Sequence, residues 1–239
     1  MVRFSTKYRS EDIEIMDDFD LQGSEMKLLL DDLQWVNKWL GGTKISLEGI
    51  SVLLKDLPKD RTITLIDVGC GDGEMLRQCA DYALKEGYTF QLIGLDANAH
   101  ILVEAKSRSM LYSNISFQKI DVFSKENSIP ECDIALCTLM LHHFKHKAIT
   151  ALLQKLSDKA KVGIVVNDLE RSTIAFWLFK GIGFLFLNTD IARHDGLVSI
   201  ARGFIKEELI KISEGITATT LSIKWKWAFR YQWILKTKE

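Results

Sequence analysis

The apolar, β-branched run at residues 63–68 breaks directly into Gly69-Cys70-Gly71-Asp72-Gly73, and a helical pattern begins at Glu74. A run of that length and composition reads as a strand buried on both faces. Glycines behind such a strand admit unusual backbone dihedrals and let the chain approach a ligand closely. The helix start beyond them offers free N–H groups. In open α/β sheets, ligands bind at the carboxyl ends of strands, at such a turn. This one feature therefore asks for a parallel sheet with crossover helices.

The remainder of the chain supplies them. Helical spacing over 74–86 stops at Gly87, and further strands are expected at 90–95, 115–120, 133–138 and 162–166. Helices are expected near 98–110 and 147–160, giving a βαβαβ series with right-handed crossovers. Before it, Ser24 and Ser46 are expected to cap two helices, the first ended by Gly41-Gly42 and the second by Pro58. After a helix near 204–214, two β-rich runs at 217–227 and 229–236 are too close for a crossover and predict an antiparallel hairpin. The fold class is α/β: a Rossmann-like seven-stranded sheet, mostly parallel, with a C-terminal antiparallel hairpin. The organisation reads as an N-terminal helical cap (1–58), a core (59–169), an inserted cap segment (170–204), and a C-terminal helix and hairpin (205–239) that completes the core.

Composition narrows the function. With 31 basic and 32 acidic residues the net charge is −1, so no basic excess points to nucleic acid. The N-terminus is charged and is not a secretory signal peptide. The most apolar run, 174–187, is interrupted by Lys180 and is shorter than the about 20 residues that a membrane span needs. Cys70, Cys79, Cys132 and Cys137 form no CxxC pair and have no histidine at ligand spacing, so they read as reduced core residues of a cytoplasmic protein, and no metal site is expected.

The glycine turn alone is a weak signal. A dinucleotide fingerprint would place its third glycine at Glu74, where a carboxylate would face a pyrophosphate. The spacing here, acidic-x-Gly-x-Gly-x-Gly, instead suits a cofactor without phosphates and with a cationic amino group, for which Asp67 is a partner. Asp96 ends the second strand, where a carboxylate can accept from both ribose hydroxyls. Asp121 follows the third strand and can accept from an adenine amino group, with Val122 against the ring. Three acids at the ends of three successive strands point to a nucleoside cofactor.

Those residues lie in IDVGCGDGEML at 66–76, LIGLDAN at 92–98, KIDVF at 119–123 and DIALCTLMLHHF at 133–144. With them the chain resembles the class I S-adenosylmethionine-dependent methyltransferases, in particular the small-molecule branch with a Leu-His-His tail after the fourth strand. NDLERS at 167–172, RHDGLVSIARGF at 193–204 and WAFRYQ at 227–232 are similar to one bacterial subgroup of that branch. The resemblance implies S-adenosyl-L-methionine as cofactor and S-adenosyl-L-homocysteine as product. It implies that Gly69, Gly71 and Gly73 line the methionine moiety and Asp67 reaches its amino group. It places Asp96 at the ribose, Asp121 and Val122 at the adenine, Leu139 beside the cofactor, and Ala97 among the cofactor-binding residues.

Methyl transfer expels a neutral leaving group, so positioning in a dry pocket does most of the work, and a base helps where the acceptor is a hydroxyl. The candidate bases are His143, beyond the fourth strand, and His194 with Asp195 as its orienting carboxylate in a polar loop. His142 reads either as an active-site group or as a packed residue bonded to backbone, and the His194-Asp195 pair either as a base or as a turn that docks the cap. Asp168, Glu170 and Arg171 read as substrate-binding groups or as cap ion pairs. Phe176, Trp177, Phe179, Phe184 and Phe186 mark an aromatic cap, either packed on the N-terminal helices or forming an apolar pocket or a peripheral membrane face. The expected partner is a small apolar or aromatic acceptor, methylated at oxygen, with no nucleic acid and no membrane span. The alternatives are a non-catalytic cofactor-binding regulator or scaffold, and a nicotinamide-dependent oxidoreductase, against which Glu74 argues.

Overall fold

Seven strands, β1 (Thr62–Val68), β2 (Thr89–Asp96), β3 (Ile115–Lys119), β4 (Cys132–Thr138), β5 (Ala160–Leu169), β6 (Thr220–Lys226) and β7 (Arg230–Lys236), line up as β3-β2-β1-β4-β5-β7-β6 in the computed structural model. It describes residues 2–18, 21–55, 57–124 and 127–237. Strands β1 to β5 pair in parallel, and β7 runs antiparallel between β5 and β6. The order reverses beside β1, which pairs with β2 on one side and β4 on the other. That reversal opens the crevice at the carboxyl ends of β1, β2 and β4.

The period-2 pattern divides the core into two layers. Leu65, Leu92, Ile134 and Val165 point to one face of the sheet, where helices α2 (Gly42–Leu54), α3 (Glu74–Glu86) and α4 (Ala99–Arg108) cover them. Ile66, Ile93, Ala135 and Val166 point to the other, under α5 (His146–Lys159) and α8 (Lys206–Ser213). Trp233 of β7 is fully buried in this second layer.

Three local expectations change. Helix α1 (Gly23–Trp39) starts one residue before Ser24, with Gln22 at its cap and no side-chain cap bond. Helix α2 starts at Gly42 rather than behind Ser46, because Gly41 takes φ +67° and turns one helix directly into the next. Ser46 is instead an interior residue of α2, whose hydroxyl meets Thr138 Oγ1 at 3.2 Å. Residues 193–196 are not a loop but lie within α7 (Asp190–Arg202), which Thr189 caps by accepting from the Ala192 N–H. Gly196 does not break that helix: it lets the Phe179 ring of α6 (Thr173–Phe186) lie against the backbone, where an added Cβ would meet Phe179 Cζ at 2.1 Å.

The N-terminal helices and the inserted helices hold one another. Asp32 of α1, 2% exposed, accepts from the Thr189 N–H at 2.8 Å, the Thr189 hydroxyl at 2.9 Å and the Asn188 side-chain amide at 2.8 Å. One buried carboxylate thus clamps the α6–α7 link. No described helix is long and apolar enough to cross a membrane.

Candidate active site

The turn after β1 has the backbone its glycines predict: Gly69, Gly71 and Gly73 all sit at positive φ, at +69°, +53° and +76°. The Gly69 and Cys70 N–H groups donate to Leu95 O, tying the turn to the end of β2. An added Cβ at Gly69 would strike Met140 Cγ at 2.6 Å, whereas at Gly71 it would meet nothing within 4 Å. Gly71 therefore faces open space at the carboxyl edge of the sheet.

Two carboxylates flank this space in different states. Asp96 accepts the Gly71 N–H at 3.0 Å through Oδ2 and the Asn98 N–H at 2.9 Å through Oδ1. Asp67 is 2% exposed, and its Oδ1 has no hydrogen-bond partner. Burial, reinforced by the nearby Asp96 charge, pushes its carboxyl up to about 8. An unpartnered buried acid is costly unless a cation or donor completes it.

The neighbouring acids of the turn have other partners. Asp72 caps α3 through the Glu74 N–H and pairs with Arg77 and Arg108, each at 3.2 Å, while Glu74 meets Arg77 at 2.8 Å. Asp121, exposed beyond β3, accepts the Phe123 N–H at 2.9 Å, and Val122 is buried beside it in sequence. Ala97 is half-buried between Asp96 and the Asn98 cap of α4. Leu139 turns the chain out of β4 at φ +52°, uncommon for a branched side chain, and its N–H donates to Asn167 O. Asn167 in turn donates to Gly42 O and Ser46 Oγ, so α2 braces the ends of β4 and β5.

A 3-10 turn, Leu141–His143, follows Leu139 and faces a second one, Ile15–Asp17, in the N-terminal segment. His142 is 2% exposed; its Nδ1 lies 2.7 Å from Asp168 Oδ1, and its Nε2 lies 3.4 Å from Glu14 Oε1. Burial opposes the charged ring, but Asp168 and Glu14 outweigh it and raise the pKa to about 9. His143 is part-exposed, with Nδ1 3.0 Å from Asp17 Oδ1. Arg9 and Arg202 both donate to the His142 carbonyl, and Arg202 also reaches that of His143.

His194 and Asp195 are adjacent on α7, with His194 Nδ1 2.9 Å from Asp195 Oδ1. Asp195, 1% exposed, also accepts the Ile15 and Met16 N–H groups at 2.8 and 2.9 Å. Both histidine pairs therefore flank the same N-terminal turn. Arg171 makes a two-pronged bridge to Glu208, at 3.0 Å on each prong, and Glu170 accepts from the Trp225 indole. Arg171 thus ties the chain beyond β5 to α8, and Glu170 ties it to the edge strand β6 at the surface.

Two features carried no sequence signal. Glu14 comes to His142 from far along the chain; EIMDD at 14–18 is similar to the same bacterial subgroup, but its spacing has nothing metal-binding or catalytic to show that Glu14 meets a histidine. Arg230 at the start of β7 is 1% exposed, with Nε and Nη1 unpartnered; burial lowers its pKa to about 10 despite Asp168.

A family model described as a methyltransferase domain matches residues 65–163. No curated protein is a significant match in sequence. Among solved structures, the plantazolicin methyltransferase BpumL in complex with SAH superposes with a TM-score of 0.63 at 14% identity, covering 90% of this chain and 95% of that one. Human N-acetylserotonin methyltransferase in complex with SAM gives 0.63 at 17% identity, covering 90% of this chain and 57% of that one. Magnesium protoporphyrin IX methyltransferase from Synechocystis PCC 6803 with bound SAH gives 0.53 at 15% identity, covering 83% of each chain.

Proposed function

We propose that this chain, which belongs to the class I S-adenosylmethionine-dependent methyltransferases, methylates an oxygen of a small apolar or aromatic acceptor. The observation that carries the cofactor half is Asp67, a buried carboxylate with an unpartnered oxygen beside the glycine turn. It fits the amino group of S-adenosylmethionine, directly or through water. The open space at Gly71 fits a ligand in close contact with the backbone. Asp96, already fixed by two backbone N–H groups, is suited to the ribose hydroxyls. Gly69 and Gly73 shape the methionine end, Ala97 lies at the ribose, Asp121 and Val122 lie on the adenine side, and Leu139 at the methyl end. When bound, S-adenosylmethionine supplies an electrophilic methyl group on a sulfonium, with S-adenosylhomocysteine as product.

The chain's own part is to position the acceptor and receive its proton. His143 is the first candidate base, since Asp17 holds its Nδ1 and leaves Nε2 free of the tie. His194, oriented by Asp195, is the second. The support for an apolar acceptor is α6: Trp177 is 60% exposed, Phe184 77% and Leu185 71%, on a helix clamped through Asp32 to α1. That face suits a greasy acceptor, free or carried at a membrane surface.

Calorimetric titration with S-adenosylhomocysteine tests the reading, with Asp96→Ala alongside. One site per chain is expected, weakened at least about tenfold in the variant, because a charge-assisted pair of hydrogen bonds is worth about 1.5–3 kcal/mol. Labelled methyl donor with a panel of phenols and polar acceptors then tests the acceptor half. Transfer to polar amines in preference to phenols would overturn it.

A further inference from the structure

The buried cluster where the two 3-10 turns meet has a shape that hydrogen bonding does not explain. Glu14, 2% exposed, presents one oxygen to each histidine: Oε1 lies 3.4 Å from His142 Nε2 and Oε2 lies 3.7 Å from His143 Nε2. Both separations exceed the 2.7–3.2 Å range of ordinary hydrogen bonds. Glu14 Oε1 and His142 Nε2 face each other as a long ion pair and make no hydrogen bond in the buried interior. The three ligand-type atoms all lie within 4.8 Å of one another.

We propose that Glu14, His142 and His143 form a binding site for a divalent transition-metal ion of the zinc class, joining the N-terminal segment to the end of β4. Zinc bonds of about 2.0–2.2 Å in a tetrahedron put ligand atoms about 3.3 Å apart; Glu14 Oε1 and His142 Nε2 already lie 3.4 Å apart, and with one atom from each residue all three lie within 4.8 Å, so an ion would draw the third ligand inward. Two imidazoles and one carboxylate are the donor set of open, three-ligand zinc sites.

The surroundings fit the same reading. A metal-bound imidazole donates its other N–H to a carboxylate, which fixes the tautomer and turns the remaining nitrogen to the ion. Both histidines are arranged so: His142 Nδ1 is 2.7 Å from Asp168 Oδ1, and His143 Nδ1 is 3.0 Å from Asp17 Oδ1. In each case Nε2 turns to the same carboxylate. Arg9 and Arg202 hold the backbone of the turn without entering the donor set. Three protein ligands leave a fourth position for water or an acceptor oxygen, whose pKa a bound zinc lowers to about 7. An ion on His143 Nε2 would take that ring out of the base role and leave it to the bound water or to His194; that last role rests on the methyltransferase reading, and the ion site itself does not.

The test uses the full chain. Elemental analysis after purification and calorimetry with Zn2+ should give one ion per chain. Co2+ should give the visible absorption of a tetrahedral site. His143→Ala, at a part-exposed ring, should fold and lose affinity by roughly 100-fold or more, and Asp17→Asn, which pairs with His143 and more distantly with Arg202 at 3.8 Å, by roughly 10–100-fold. S-adenosylhomocysteine is titrated into the same samples. No zinc binding in a sample that binds S-adenosylhomocysteine would overturn the site and leave the methyltransferase reading standing. Zinc that binds His143→Ala as tightly as the wild type would overturn it too, as uptake elsewhere on the chain.

Discussion

Asp195, on α7, accepts the backbone N–H of Met16 at 2.9 Å while its other oxygen accepts that of Ile15 at 2.8 Å. A helix of the inserted segment thereby sets the turn that carries Glu14 and Asp17 to the histidines after β4. The placement of those histidines' partners depends on a contact bridging nearly the whole chain.

Asp195→Ala removes both acceptors from a buried position. The expected loss is about 2–3 kcal/mol, the scale of hydrogen bonds to a charged group, read by urea unfolding. Hydrogen exchange should rise at residues 13–18 well before the sheet opens. His194→Ala leaves these two bonds in place and should leave that exchange unchanged. Equal protection of 13–18 in Asp195→Ala and wild type would count against the anchoring role.

Asp67 gives a pH signature. Its carboxyl, pushed up to about 8 by burial and by Asp96, sits near 3.9 in an unfolded chain. Between those values the folded protein holds a proton that the unfolded chain has released. The ligand-free protein should therefore lose stability as pH rises from about 4 through 8 and level off above. Asp67→Asn should flatten this component in melting scans. A cationic partner favours the ionised acid, so S-adenosylhomocysteine should bind more tightly as pH rises from 6 to 8. It should also release protons, seen as a dependence of binding heat on buffer ionisation enthalpy.

Gly69 and Gly71 separate folding from binding. Both carry positive φ, so alanine costs about 1–2 kcal/mol at either. At Gly69 the new methyl also strikes Met140, but at Gly71 it enters open space. Gly71→Ala should stay folded within that cost and lose S-adenosylhomocysteine affinity at least about tenfold by calorimetry. Gly69→Ala should lose more stability than Gly71→Ala in parallel melts.

The sheet and the glycine turn at its carboxyl edge were legible because their signals are local. A β-branched run, three alternate glycines and an acid at each strand end fall within a few residues of one another, and backbone sterics turn that spacing directly into geometry. The cluster around His142 was not legible, because its partners meet through the tertiary fold. His142 gains a carboxylate from β5 and another from residue 14, and no periodicity connects them. Ser46 read as a cap because serine favours caps, yet Asn167 and Thr138 draw its hydroxyl into the interior. The pair at 194–195 read as a loop because glycine follows it, and the reason for that glycine lies on another helix.

Gly196 and Gly181 test that last point by opposite signs. Both are helical glycines, Gly196 in α7 and Gly181 in α6. An alanine methyl at 196 would overlap Phe179 Cζ, 2.1 Å away, while at 181 it meets nothing within 4 Å. Gly196→Ala must push the ring out of the α6–α7 contact, an overpacking cost of about 1–3 kcal/mol. Gly181→Ala loses no contact and removes backbone freedom from the unfolded chain, a gain of about 0.5–1 kcal/mol. Denaturant midpoints should therefore move down for the first and up for the second. Equal shifts would mean that the close approach of Phe179 is not what the glycine at 196 provides.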